Sequence, residues 1–338
     1  MNTNTEMRTG ESMALNLYSS TNRFILRNIA WFIVILFVIV ISLVSENFLT
    51  IPNIRSLLIQ STILGILVIG QAMCLMVGYM DICVESTMLF SLVFSTWLMV
   101  GTSVVRSGVD LPPMISILTG LAVGAMIGFI QGFLIVKVRM NAFVTTLAMY
   151  ITIGGLSVLW LKGGVIYPLA DSYRILGSGE IGIIPFSVIL TLLLYMLFHF
   201  ILNYTSFGRS VYAVGGNPAA ARASGIDNPR IIISCFVISG FLAAVAGWVI
   251  AGRMNSASTL LSQGIVFNVF AAAVVGGISL TGGVGNIMGA LGGVLLLALI
   301  NNSLNLMNVD PYWVAVVRGL IILLAIFIDS LRTRRVAS

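Results

Sequence analysis

Two acids stand one helical turn apart inside otherwise apolar sequence, Asp81 and Glu85, in the run Gly78-Tyr-Met-Asp-Ile-Cys-Val-Glu85. Carboxylates at membrane depth are expensive, so they mark a helix cap, an ion or proton relay, or the wall of a solute cavity. Asp81 is placed to cap a following helix, with Glu85 close to that helix's positive end. The same spacing suits a helix broken within the membrane and lining a cavity. Arg318 lies about two turns into the last apolar run, where it can pair with Glu85 or Asp81 or snorkel outward. Gln71, Gln131, Asn268, Asn301 and Asn302 are candidate hydrogen-bonding groups for a hydroxylated solute, or ties between helices. His199, between Phe198 and Phe200, reads as an interfacial residue rather than a proton relay.

Other chemistry is excluded by what surrounds the candidate residues. A phosphate-binding loop needs a lysine followed by Ser or Thr, and the two lysines, Lys137 and Lys162, precede Val138 and Gly163. Gly276-Gly277 and Gly282-Gly283 lack the strand-glycine-helix setting of a dinucleotide site. Cys74, Cys83 and Cys235 form no Cys-x-x-Cys pair, so neither zinc nor a disulfide framework is indicated. We therefore expect no catalytic residues, no metal and no cofactor in this chain.

Residues 217–225 read Asn-Pro-Ala-Ala-Ala-Arg-Ala-Ser-Gly. Asn217 is a good N-cap, Pro218 suits the first helical position, and Gly225 can take the left-handed conformation that ends a helix. The result is a helix of about two turns, too short to be stable alone in water. Ala220, Ala221 and Ala223 beside Arg222 offer a low-profile surface, so the helix should rest on a partner or on the ends of other helices. The next segment restarts in the same way, with Asp227 or Asn228 as cap and Pro229 behind it.

These residues must be positioned by membrane helices. Of 338 residues 59% are apolar and only 8% charged, against roughly 25% charged in a soluble domain. The fold class is an all-α integral membrane protein. A window of about nineteen residues marks ten spans, 29–46, 56–79, 83–105, 114–136, 142–161, 183–202, 231–251, 266–280, 285–304 and 311–328. The first is read as a span rather than a cleaved leader, since no small-residue cleavage site follows Val44. With both termini on the inner side, inner segments hold eleven basic residues and outer ones five, which favours N-in, C-in. The net charge of +6 is thereby assigned to topology and not to nucleic acid. The organisation is a cytoplasmic segment 1–28, one polytopic domain 29–330 and a cytoplasmic tail 331–338. Gly120, Gly124, Gly128 and Gly132 recur every four residues, as do Gly285, Gly289 and Gly293, ridges that let helix backbones approach closely. A faint echo links Gly78–Glu85 with Gly282–Gly289.

Several motifs together resemble the permease subunits of bacterial ATP-binding-cassette importers for ribose, xylose, arabinose and related sugars. They are Gly208-Arg-Ser-Val-Tyr-Ala-Val-Gly-Gly-Asn217, Ala221-Arg-Ala-Ser-Gly-Ile226, Val274-Val-Gly-Gly-Ile-Ser-Leu-Thr-Gly-Gly283, Asn301-Asn-Ser-Leu-Asn-Leu306, Pro311-Tyr-Trp313 and Val317–Ala325. Phe143-Val-Thr-Thr-Leu-Ala-Met149 fits the family's central segment and adds Thr146 to the path candidates. The resemblance implies a separate ATPase subunit that holds ATP and Mg, a second permease chain, identical or homologous, an extracytoplasmic solute-binding protein and a small sugar-like solute, in a bacterial inner membrane. It makes the 217–225 helix the coupling helix that docks in the ATPase. Nucleoside and branched-chain amino acid permeases share the fold, and an ion-coupled secondary transporter is the competing class, resting on Asp81 and Glu85. A structural membrane protein without a solute path is a further competitor. The chain departs from the family pattern in three places. An acid, Glu85, stands where a glycine is usual, and Val266 and Asn268 replace an acid pair at the start of the eighth span.

Overall fold

The computed structural model describes residues 29–100, 109–262 and 264–310, together with Tyr312, Trp313, Val316, Gly319, Leu320, Leu323 and Phe327. The 1–28 segment, the 331–338 tail, most of the expected 311–328 span and Arg318 lie outside the described residues. Among the described residues, six helices are long and apolar enough to cross a membrane. In chain order the helices are α1 (Ile29–Val44), α2 (Ile51–Met76), α3 (Val84–Met99), α4 (Pro113–Val136), α5 (Ala142–Leu161), α6 (Asp171–Ser178), α7 (Phe186–Tyr204), α8 (Ser206–Gly216), α9 (Pro218–Ala223), α10 (Asn228–Met254), α11 (Ile265–Val275) and α12 (Ile287–Leu306). The six long ones are α2, α4, α5, α7, α10 and α12. A short hairpin, Glu180–Ile181 paired with Ile184–Pro185, precedes α7.

The centre of the bundle is α2 and α10. The best apolar window of α2 is 83% buried by protein, that of α12 67% and that of α10 61%, whereas that of α5 is only 22% buried. Outer helices thus turn apolar faces such as Ile151, Leu193 and Met196 outward, as a lipid-facing surface requires. The glycine ridge of α4 decides how close it lies to α10. A Cβ on Gly128 would run into the carbonyl of Phe236, one on Gly124 into that of Gly240, and one on Gly240 into that of Gly124. Two backbones touch there with no room for a methyl group. On α12, Gly289 and Gly293 do the same against Gly276 and Ala272, so both ridges pack helices within the subunit.

The expected eighth span is corrected: α11 has 11 residues, about 16 Å at 1.5 Å per residue, roughly half of a bilayer core. Glycines cut it at both ends. Gly264 has φ +76° before it, and Gly277, Gly282 and Gly283 have φ between +73° and +89° after it, conformations open to glycine and costly for other residues. The third span is also short, with α3 running for 16 residues. The connection 162–182 holds an element that hydropathy missed, α6, which buries Tyr173 and receives the indole N–H of Trp248 on the Tyr173 carbonyl at 2.7 Å.

Candidate functional site

The break between α2 and α3 is built by a glycine and an acid. Gly78 turns the chain at φ +82°, and one oxygen of Asp81 accepts the Cys83 N–H at 3.0 Å, closing the turn ahead of the helix; the expected cap is corrected, since the N-cap position falls on Cys83 and no side chain caps α3. The other oxygen accepts the Ser239 hydroxyl at 2.8 Å. Ser239 lies near the middle of α10. Thr146 donates to the Met80 carbonyl at 3.3 Å, and Ser86 to the Tyr150 carbonyl at 2.7 Å, with Tyr150 near the middle of α5. The start of α3 therefore sits well inside the bundle, level with the midpoints of two long helices.

Glu85 does not serve its own helix. Its carboxylate reaches the start of α11, where Oε1 accepts the Gly264 N–H at 3.1 Å and Oε2 the Val266 N–H at 3.0 Å. The Ile265 backbone and the Tyr150 side chain lie beside it. Helix starts leave amide hydrogens unpaired, and a carboxylate there gains from the helix dipole as well. The start of α3 and the start of the half-length α11 thus lie together, with Asp81 in the turn before the first and Glu85 bonded to the second. The ion pairs among the described residues are Arg55–Glu180, Arg174–Asp171 and Arg230–Asp227, and none involves Asp81 or Glu85.

The remaining path candidates separate. Asn268, partly buried on α11 within about a turn of Glu85's bonds, has a buried Oδ1 with no hydrogen-bond partner among the described residues. Asn302 is satisfied instead, because its amide exchanges two bonds with Asn53, Nδ2 to Oδ1 at 2.8 and 3.1 Å. Asn301 is half-buried beside it on α12. Gln71 and Gln131 are fully buried within α2 and α4. Sequence reasoning missed Ser239 and Tyr150. A lone serine or tyrosine in an apolar helix carries no spacing signal, and only tertiary contact reveals either.

At the end of the bundle where α2 stops, α9 forms as read. Asn217 Oδ1 accepts the N–H groups of Ala219 and Ala220 at 3.0 Å each, Asp227 caps α10 through the Arg230 N–H, and Gly225 has φ +82°. Ala221 is buried and Asn228 donates to the Pro218 carbonyl at 2.8 Å, so one side of α9 rests on this chain. Ala219, Ala220, Arg222 and Ala223 remain exposed. Just before α9, the chain presses on the membrane-side turns: Gly215 lies against the Met76 carbonyl, Gly283 donates to that carbonyl at 2.9 Å, and the Tyr212 hydroxyl donates to the Gly285 carbonyl at 3.0 Å.

Residues 53–326 match the family model for the permease component of branched-chain amino acid transport systems. The chain belongs to that permease family. Among curated relatives, the ribose import permease protein RbsC of Escherichia coli strain K12 is 33% identical over 86% of this chain and 89% of its own length. RbsC of Bacillus subtilis strain 168 is 36% identical over 86% and 89%. The fructose import permease protein FrcC of Rhizobium meliloti is 34% identical over 80% and 76%. No solved structure matches the chain. Family membership accounts for the apolar helices, and makes this protein a membrane permease component whose relatives move sugars.

Proposed function

We propose that the chain is the membrane permease subunit of an ATP-driven importer for a small sugar or sugar-like solute, in the inner membrane of a bacterium. The observation that carries this reading is the match to ribose and fructose import permeases along nearly the whole chain, on a fold with a break and a half-helix meeting inside the bundle. Ten crossings with both termini in the cytoplasm remain our topology, with α3 and α11 as partial ones and the last span at 311–328. The permease domain is 29–330, between the 1–28 segment and the 331–338 tail. Asn217–Gly225 is the coupling helix: it is capped, exposed on the side away from the bundle, and follows directly on the Gly215–Gly216 corner that packs against the Met76–Gly78 turn. Two permease chains, identical or homologous, enclose the path, and a separate ATPase holds ATP and Mg while a binding protein delivers solute. The path residues are Gln71, Asp81, Glu85, Thr146, Asn268, Asn301 and Arg318, of which Asp81 and Glu85, bonded to Ser239 and to the head of α11, have the strongest geometric support, while Asn302 is tied instead to Asn53. None of these groups is asked to make or break a covalent bond. An ion-coupled transporter finds no support among the relatives.

Proteoliposomes holding the permease, its ATPase and its binding protein test this directly. Labelled pentose or fructose should accumulate with ATP and not without it. Equal uptake in both, or uptake driven by an ion gradient alone, overturns the reading.

A further inference from the structure

The hairpin before α7 turns an apolar surface away from the bundle. Ile181, Ile183 and Ile184 are each more than half exposed, and two strands of two residues make a sheet too small to hold itself together in water. Glu180 ties the hairpin to α2 through its ion pair with Arg55. Between the hairpin and the first turns of α2 lies a cleft of about 190 Å³. Ile51, Ile54 and Leu58, on one face of α2, line one wall, and Ile183 and Ile184 line the other, with Arg55 as the charged residue beside them.

The cleft sits where lipid changes from tail to head group. Directly after the hairpin, α7 begins at Phe186, and its 19 residues span about 28 Å at 1.5 Å per residue, the thickness of a bilayer's hydrocarbon core. The hairpin therefore lies at one face of that core. The same boundary shows on α2, where Asn53, Arg55 and Ser56 give way to Leu57, Leu58 and Ile59. The Arg55 and Glu180 side chains are 43% and 45% exposed, and an ion pair so open is worth little, so a ligand that carries both charges can part it. One guanidinium and one carboxylate thus stand side by side at the edge of an apolar slot.

We propose that this cleft binds a phospholipid with an ethanolamine head group. One acyl chain lies in the slot along Ile51, Ile54 and Leu58, the phosphodiester bonds to the guanidinium of Arg55, and the primary ammonium bonds to the carboxylate of Glu180. The pattern of charge selects the head group. A guanidinium has five N–H donors in a planar fork suited to phosphate oxygens, so Arg55 can serve a phosphodiester. Glu180, freed from Arg55, needs a cation with N–H groups of its own. A glycerol head brings no cation, and a trimethylated choline brings no N–H. Bound lipid fastens the hairpin to α2, and with it the connection that enters α7. The site requires only that the chain spans a membrane, whatever solute it moves.

The test titrates purified full-length permease in detergent with phosphatidylethanolamine, phosphatidylcholine or phosphatidylglycerol, all with the same acyl chains. The melting temperature should rise by about 2–4 °C with the ethanolamine lipid and by less than half as much with the other two. Glu180→Gln keeps the shape and loses the charge, and it should bring the ethanolamine lipid down to the response of the choline lipid. Arg55→Gln should weaken all three responses, because all three lipids carry the phosphodiester. Ile184→Trp, at an exposed position, fills the slot without touching the core and should lower the number of lipids retained in native mass spectrometry. Each variant is compared with itself across lipids, so a lower starting stability does not decide the outcome. Equal shifts by the three lipids in the parent, an ethanolamine preference that survives Glu180→Gln, or unchanged lipid retention by Ile184→Trp overturns the proposal. A parent that responds to no lipid, as when a second protein chain covers the cleft, overturns it as well.

Discussion

At the scale of single residues, neighbours in sequence take different work. Asn301 and Asn302 are adjacent, but on a helix adjacent side chains point about 100° apart, and only Asn302 faces Asn53. Its reciprocal amide pair predicts a structural effect. Asn302→Ala leaves half of the Asn53 amide unpaired, and polar pairs between membrane helices are worth about 0.6 to 1.7 kcal/mol. Each single alanine variant should lower detergent stability by that order, and the double variant should cost no more than the worse single one, a coupling that a double-mutant cycle reads. Solute affinity should be unchanged; a raised KM with unaltered stability would return Asn302 to the path. Glu85 was legible in the sequence as an acid out of place, but its partner was not. The amides it holds lie 179 and 181 residues further along the chain, and backbone N–H groups leave no mark on residue type.

At the scale of elements, the glycine ridge and the capped α9 could be read because each depends on local spacing alone. Residue types at i, i+4 and i+8 fix a helix face, and Asn-Pro followed by alanines fixes a cap. The half-length of α11 could not. Its apolar window runs on through Gly276-Gly277-Ile278, and hydropathy does not distinguish glycine that packs inside a helix from glycine that ends one. The α4 ridge predicts that Gly128→Leu forces apart backbones already in contact at Phe236, at a cost of about 1 to 3 kcal/mol, seen as a fall in melting temperature of the purified permease. Gly155→Leu, whose Cβ would meet nothing within 4 Å, should stay close to the parent. For α9, Ala220 faces outward while Ala221 is buried. Ala220→Glu should leave membrane insertion and melting temperature intact, abolish co-purification with the ATPase and stop ATP-driven uptake, because an unpaired charge buried in a docking groove costs several kcal/mol. Ser178→Glu on α6 should keep the ATPase attached. Normal ATPase retention by Ala220→Glu would remove α9 from the coupling role.

At the scale of the whole molecule, contacts sort the connections into two ends without reference to a membrane. The Met76–Gly78 turn, the Gly215–Gly216 corner and the Thr281–Gly285 turn touch one another, so they lie on the side of the bundle that carries α9. At the opposite end, Arg55 pairs with Glu180, Asn255 accepts the Leu169 N–H at 3.0 Å, and Ile166 bridges to Ala257. What geometry leaves open is which end faces the cytoplasm, and only charge decides that. Along the full sequence, eleven basic residues fall in segments assigned to the α9 end or the termini and five to the other, so the α9 end should be inside. The native thiols help the test, since Cys74, Cys83 and Cys235 are all buried and should give little background with a membrane-impermeant maleimide. Ser172 and Ser224 are both exposed, at opposite ends. In intact cells Ser172→Cys should label and Ser224→Cys should not, and permeabilisation should bring Ser224→Cys up to the level of Ser172→Cys. Labelling of Ser224→Cys from outside would invert the molecule, and with it the placement of an ATPase on α9, because ATP is available only on the cytoplasmic side.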